Sequence, residues 1–286
     1  MNKKTAQLLS LKKSIDVLER FKVSRIPELE ISPRIPKVIF QYWDRNPPNQ
    51  IISLLERNRF LCQANNIKYV LFNDEDARNC LKEHFAEDVY RAYDLSPHPA
   101  MKCDLFRLCY LYQYGGFYLD ADMVLTEKFC ELFSIKGELA AFKWNNGKIK
   151  NICNWLIGSE ANSPIIKFAL DGTTHSILKA CNHTDNVLKN ILSISGPGIF
   201  TRTISTYIFQ KEKQHKEFYE LAISIESVDY AYTLVQNGPK FLKKPLKYKK
   251  TKLHWLTAEK TRSNIFQNAY LKIFSNNFHK LKLWKK

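Results

Sequence analysis

The chain has 286 residues, 44 Lys plus Arg against 28 Asp plus Glu, a net charge of +16 and 45% hydrophobic residues. That length buries a substantial core as one large domain, or as one domain with appendages. No run of 18 apolar residues occurs, so no transmembrane helix is predicted, and Lys12 and Lys13 interrupt the N-terminal leucines, which argues against a signal peptide and for a cytoplasmic protein.

Seven cysteines stand at 62, 80, 103, 109, 130, 153 and 181, odd in number and without a CxxC pair. Reduced, buried thiols are expected, and no zinc site. The charge is uneven. Residues 240–286 hold fourteen Lys or Arg and one acid, Glu259, about +13 of the total.

Residues 5–22 have Leu8, Leu11, Ile15, Leu18 and Phe21 at helical spacing, so an amphipathic helix is expected. It packs on the main domain or, alternatively, attaches to a surface. Pro27, Pro33 and Pro36 make the following stretch an extended linker. The continuous apolar run Ile35 to Trp43 reads as a buried parallel strand. Ile51–Asn65 reads as a helix and Tyr69–Phe72 as a second strand. Strands and helices alternating at these lengths predict an α/β fold with a mainly parallel sheet. Ligands in such sheets lie beyond the carboxyl ends of strands, which makes Asn73 a candidate for a base or ribose contact. Residues 75–94 read as a helical, solvated cap, and Ser96–Pro99 as a loop.

The most informative stretch is Ala100–Leu125. Pro99 suits a first helical turn. Met101, Leu105, Leu108, Cys109 and Tyr112 form one buried face, with Asp104 and Arg107, three apart, on another. Gly115 and Gly116 end the helix. Phe117–Leu119 reads as a short strand, and Asp120 and Asp122 point the same way if it persists. Two carboxylates at a strand tip suit Mg²⁺ or Mn²⁺, which takes one or two protein oxygens and the rest from phosphate and water. A surface acid pair with a helix salt bridge is the structural alternative.

Further on, Phe142–Trp144 reads as a strand and Ser163-Pro164 as a helix start. Gly196-Pro197-Gly198 reads as a loop that permits close backbone approach to a ligand, although it is also a common turn. Residues 210–220 read as a charged helix and Ser224–Tyr230 as a strand. The tail from Asn264 places Phe266, Tyr270, Ile273, Phe274, Leu281 and Trp284 among lysines. That pattern is a basic amphipathic helix suited to an anionic membrane surface; nucleic-acid binding is its alternative.

The run Ala100…Asp104…Arg107…Gly115-Gly116-Phe117-Tyr118-Leu119-Asp120-Ala121-Asp122 resembles the signature of glycosyltransferases with a DXD sugar-binding motif. These include Och1-like mannosyltransferases and bacterial capsule and lipopolysaccharide sugar transferases, with the glucosylating clostridial toxins related. The resemblance extends to Ile35–Trp43, with Phe40 where histidine is usual, to Asn154–Ser159, to Ser195–Thr201 and, weakly, to His254-Trp255.

The resemblance implies a GT-A-like, single Rossmann-type catalytic domain over 33–258. An N-terminal helix and linker (1–32) and a basic C-terminal helix (259–286) flank it. It implies a retaining transfer from a nucleotide sugar, a UDP-sugar ahead of GDP-mannose, to a glycan or lipid-linked glycan in surface polysaccharide synthesis. The enzyme would lie peripherally at the inner face of the plasma membrane. Asp122 and Asp120 would hold Mn²⁺ or Mg²⁺, with His254 as a further ligand. Arg107 would contact the phosphates or sugar, and Asp104 the donor-sugar hydroxyls. Gln41 and Trp43 would approach the base, while Tyr118, Asn154, Gly196 and Trp255 would line the substrate. Two other readings remain: a haloacid-dehalogenase-like phosphatase with Asp120 as nucleophile, and a non-enzymatic basic protein that binds nucleic acid.

Overall fold

In a computed structural model, residues 7–21, 34–145, 150–183, 187–214 and 223–250 are described. The chain divides into a unit through Lys243 and a second from Lys244, whose described part, 244–250, ends in the 3-10 turn Lys247–Lys250.

Helix α1 (Leu11–Arg20) begins at Ser10, whose hydroxyl accepts from the Lys13 N–H. It packs on the main domain: Val17, Leu18 and Phe21 are buried, the Leu9 N–H donates to Thr206 Oγ1, and Arg202 donates to the Leu9 oxygen. Strand β1 (Val38–Tyr42), helix α2 (Asn49–Ala64) and strand β2 (Lys68–Phe72) follow as expected. The expected single cap is two helices, α3 (Asp74–His84) and α4 (Glu87–Leu95), because the backbone is extended at Phe85 and Ala86. Its inner face is not solvated: Ala77, Leu81, Val89, Ala92 and Tyr93 are buried.

Helix α5 (Pro99–Tyr114) has proline in its first turn, behind His98, whose Nδ1 accepts from the Ala100 N–H. Ten of its sixteen residues, Met101 and the run from Cys103 to Leu111, are buried, Asp104 and Arg107 included. Gly115 has φ +68° and Gly116 φ +96°. A Cβ on Gly116 would also stand 2.9 Å from the Val38 oxygen, so both the turn and the neighbouring strand require glycine there.

After β3 (Gly116–Leu119) come β4 (Met123–Leu125), a 3-10 helix (Phe129–Ser134), β5 (Leu139–Asn145), β6 (Lys150–Ile152) and β7 (Leu156–Ser159). Then follow α6 (Pro164–His183), α7 (Ile191–Ile194) and α8 (Pro197–Gln214). The glycine-rich stretch is therefore not an open ligand loop. Pro197 and Gly198 begin α8, and Gly196 is a buried turn whose Cβ would meet Leu192 Cα at 3.0 Å. The expected strand at 224–230 is β8 (Ile223–Ser227) only; Ser227 then caps α9 (Val228–Leu234) by accepting from the Tyr230 N–H. Strand β9 (Val235–Asn237) and α10 (Gly238–Leu242) complete the first unit.

The main sheet runs β2-β1-β3-β7-β5-β6, with β8 also paired to β5. Strands β1, β2, β3, β5 and β8 share one direction, and β6 and β7 oppose it. Alternation along the strands divides two cores. Phe40, Tyr42 and Tyr118 face the aromatic side chains Phe106 and Tyr110 of α5, or lie beside them. Ile39, Phe117 and Leu119 join Leu61 and Cys62 of α2 and Phe129 and Phe133 on the other side.

Candidate active site at the Asp120–Asp122 turn

The two acids do not lie on a continuing strand. Strand β3 stops at Leu119, and the Met123 N–H closes a turn onto the Asp120 oxygen at 3.0 Å. Strand β4 then leaves to pair with β9. The turn is pinned on three sides. The Asp120 N–H donates to the Trp155 oxygen at 2.9 Å, and the Gly238 N–H donates to the Asp122 oxygen at 2.8 Å. The third side is a buried amide cluster. Gln41 Nε2 donates to the Asp120 oxygen at 3.0 Å, while Gln41 Oε1 accepts from Asn58 Nδ2 and the Tyr69 hydroxyl. Asn58 also donates to the Met123 oxygen, and its Oδ1 accepts from the Leu125 N–H.

On the α5 face, Arg107 is the hub. It meets Asp104 at 2.9 Å and Asp120 at 3.6 Å, lies 4.3 Å over the Tyr118 ring, and donates to the Cys103 and Asn154 main-chain oxygens. The Tyr118 hydroxyl donates to Asp120 Oδ1 at 2.5 Å and sits 3.0 Å from Cys103 Sγ. Asp104 accepts from Asn154 Nδ2 at 2.9 Å and from the Ser195 hydroxyl at 2.8 Å.

Burial pushes the Asp104 carboxyl up to about 6, against Arg107, Ser195 and Asn154, which favour its ionised form. Burial works to lower Arg107, but Tyr118, Cys103, Asp104 and Asp120 around it hold its pKa well above the usual value. Burial also raises the Tyr118 phenol, which therefore stays a hydrogen-bond donor. The arrangement is a fixed cation with acids on two sides, one of them half-exposed at a turn.

Asp104, Arg107, Tyr118, Asp120 and Asn154 thus converge. Gln41 does not present its amide to a ligand: it is fully buried and both ends are engaged within the protein. Trp43 follows β1 half-buried, with its indole N–H on the Arg45 oxygen. The Asn73 side-chain oxygen caps α3, accepting from the Glu75 and Asp76 N–H groups, so helix capping occupies it. Gly196 lies next to the site only through Ser195. His254 and Trp255 lie outside the described residues. Among the described residues no three His, Cys, Asp or Glu side chains converge as a cation cage. The half-exposed Asp120 and Asp122 nonetheless fit a hard divalent ion, which often takes only one or two carboxylates and completes its shell with phosphate and water.

Sequence reasoning missed Asn58, Ser195 and Gly238. Asn58 had a signal: it interrupts the buried stripe Ile51, Leu54, Leu55, Leu61 and Cys62 of α2. Ser195 stood within a motif already singled out, but its tie to Asp104 spans 91 residues. Gly238 had none.

Residues 48–139 match the family described as "Glycosyltransferase sugar-binding region containing DXD motif". The match contains Asp104, Arg107, Asp120 and Asp122, so the recognition made on Ala100–Leu125 stands. An uncharacterized glycosyltransferase of Acanthamoeba polyphaga mimivirus is 28% identical over 60% of this chain and 66% of its own length. The initiation-specific alpha-1,6-mannosyltransferase of Candida albicans is 27% identical over 42% of this chain and 38% of its own. The chain thus spans less than two thirds of each. Among solved structures, the PaToxG glycosyltransferase aligns with TM-score 0.49 and 17% identity over 87% of this chain and 95% of its own. The family match and the two named relatives are thus all to glycosyltransferases, and the matched region contains Asp120 and Asp122.

Proposed function

We propose that this protein transfers a sugar from a nucleotide-sugar donor to a glycan acceptor, with retention of anomeric configuration, at the Asp120–Asp122 turn. The observation that carries the reading is the convergence of Arg107, Asp104 and Asp120 beside a half-exposed Asp122. Asp122, with Asp120, would hold Mn²⁺ or Mg²⁺, which when bound supplies Lewis-acid neutralisation of a leaving diphosphate. Tyr118 and Arg107 engage Asp120 Oδ1, so they would set the orientation in which Asp120 shares the ion.

Arg107 sets a permanent positive charge where the diphosphate would depart. Asp104, tied to Arg107, Asn154 and Ser195, orients that charge. Tyr118 packs against the guanidinium and fixes its plane. A UDP-sugar is the favoured donor and GDP-mannose the alternative. The acceptor belongs to surface polysaccharide assembly, capsule or lipopolysaccharide. A basic tail carrying about +13 would draw the enzyme from the cytoplasm to an anionic membrane surface that presents a lipid-linked glycan.

A thermal-shift screen of UDP- and GDP-sugars, with and without Mn²⁺, tests this. A nucleotide-dependent shift that requires Mn²⁺ and disappears in Asp122→Ala is expected. Proton NMR of the product anomer then decides retention. Shifts that are equal in the variant would rule the metal assignment out.

A further inference from the structure

An aromatic stack stands at the edge of the acid turn. Tyr232, on α9, stacks on Trp155 with ring centroids 5.4 Å apart and planes 21° apart, and Trp144 of β5 meets Tyr232 edge-on at 6.1 Å. Tyr232 is the outer layer, 39% exposed, while both tryptophans are half-buried. The stack is tied to the site by backbone. The Trp155 oxygen accepts the Asp120 N–H, and α9 leads directly into β9, which pairs with the strand after Asp122. The Trp155 ring also packs against the core cluster that contains Phe117 and Leu119, which fixes it. Asp122 and Asp229 lie near the Tyr232 side chain.

Sheet order places this stack on one side of Asp120. Strand β3 has β1 and β2 on one flank and β7 and β5 on the other. Trp43 and Asn73 follow β1 and β2; Trp155 and Trp144 belong to the β7 and β5 flank. If the donor base lies toward Trp43, as the family resemblance implies, the β7–β5 flank remains for the second substrate. A hexose ring has an apolar C–H face that lies against an aromatic ring and a rim of hydroxyls that hydrogen-bonds. An exposed tyrosine backed by a fixed indole and bordered by two acids offers both contacts.

We infer that Tyr232, backed by Trp155, is a binding platform for the acceptor sugar, stacking a pyranose ring next to the Asp122 turn. This rests on the glycosyltransferase reading above. The test uses the full chain and the methyl pyranosides of glucose, galactose and mannose as probes. Saturation-transfer NMR reports sugar contact, and calorimetry with UDP and GDP in Mn²⁺ reports the donor side.

At least one glycoside should receive saturation. Tyr232→Ala should reduce it at least fivefold, while Tyr232→Phe keeps half or more, and thermal melts of both variants confirm the fold. An unchanged signal in Tyr232→Ala, or none from any glycoside with the native protein, overturns the platform. A matching loss of nucleotide affinity in Tyr232→Ala assigns the ring to the donor base and likewise overturns it. Sugar contact that depends on Tyr232, together with no UDP or GDP binding by the native protein, upholds the platform and instead sinks the donor reading.

Discussion

Gln41 donates its side-chain N–H to the main-chain oxygen of Asp120, across 79 residues of sequence, and does so from a fully buried position. A strand residue of β1 therefore sets the height of the acid turn that follows β3. Both oxygen lone pairs of the same amide are used, by Asn58 and by the Tyr69 hydroxyl, so the turn is tied to α2 and β2 as well.

Gln41→Ala should therefore act twice. It frees the Asp120 oxygen and leaves the buried Asn58 amide short of an acceptor, at a cost of about 1–3 kcal/mol. Urea unfolding reads that loss. Sugar-nucleotide turnover, measured well below the midpoint, should fall at least tenfold beyond it, because the carboxylates are no longer held in place. Native turnover in a destabilised variant would confine Gln41 to a stability role.

Gly238 gives the matching prediction from the other side of the turn. A Cβ there would stand 2.5 Å from Leu54 Cδ1 and 2.6 Å from the Asp122 oxygen. The leucine can yield, but the backbone oxygen can move only with the acid. Gly238→Ala should lower turnover more than tenfold and weaken the Mn²⁺-dependent thermal shift. Its stability loss should be modest, about 1–3 kcal/mol. A crystal structure of the variant with Asp122 in its native position and full activity would refute the steric argument.

The contrast between these two positions shows what was legible in the sequence. The path α5, β3, acid pair could be read because its signals are local: a proline start, a glycine stop and apolar spacing within 25 residues. The turn at Ala121 could not be read, because it depends on β9 pairing with β4 from over 100 residues away. Gln41 was assigned to the ligand rather than the turn because a glutamine at a strand end looks the same in sequence whether its partner is a base or a backbone oxygen. Asn73 is ambiguous in the same way: an asparagine after a strand is also the residue that best starts the next helix, and here its side-chain oxygen caps α3. The buried polar knot of Asp104, Asn154 and Ser195 was only half visible, since each member comes from a separate segment.

Asp104 predicts a pH limb. Its carboxyl is raised to about 6, chiefly by burial. Turnover that needs an ionised Asp104 to hold Arg107 should fall as pH drops through that value. Ser195 hydrogen-bonds the carboxylate and so favours the charged form. Ser195→Ala should therefore move the limb to higher pH, and a pH–rate profile of both proteins reads the shift. The linkage sign is opposite to that of an acid whose pKa is lowered on folding. The folded state takes up this proton before the unfolded chain does, so Asp104 disfavours the fold increasingly as pH rises from about 4 to 6. A limb that stays fixed in Ser195→Ala would assign it to another group.

Asp74 supplies the ordinary case. Burial works to raise it, but hydrogen bonds from Lys102, Arg78 and Tyr93 prevail and bring it down to about 2. The acid lies at the start of α3, reached by Lys102 of α5 at 2.9 Å and by Arg78 at 3.0 Å, and Tyr93 links it to Tyr42 of β1. The knot thus fastens three helices to the first strand of the sheet. Its folded pKa lies below the unfolded value of about 4, so its stabilisation is complete above that pH and is lost as pH falls toward 2. The difference amounts to about 2 kcal/mol at neutral pH. Asp74→Asn should melt several degrees below the native protein at pH 7, and the gap should close steadily between pH 4 and 2. A gap that does not vary with pH would mean that the asparagine costs packing rather than charge, and that Lys102 and Arg78 are held by other partners.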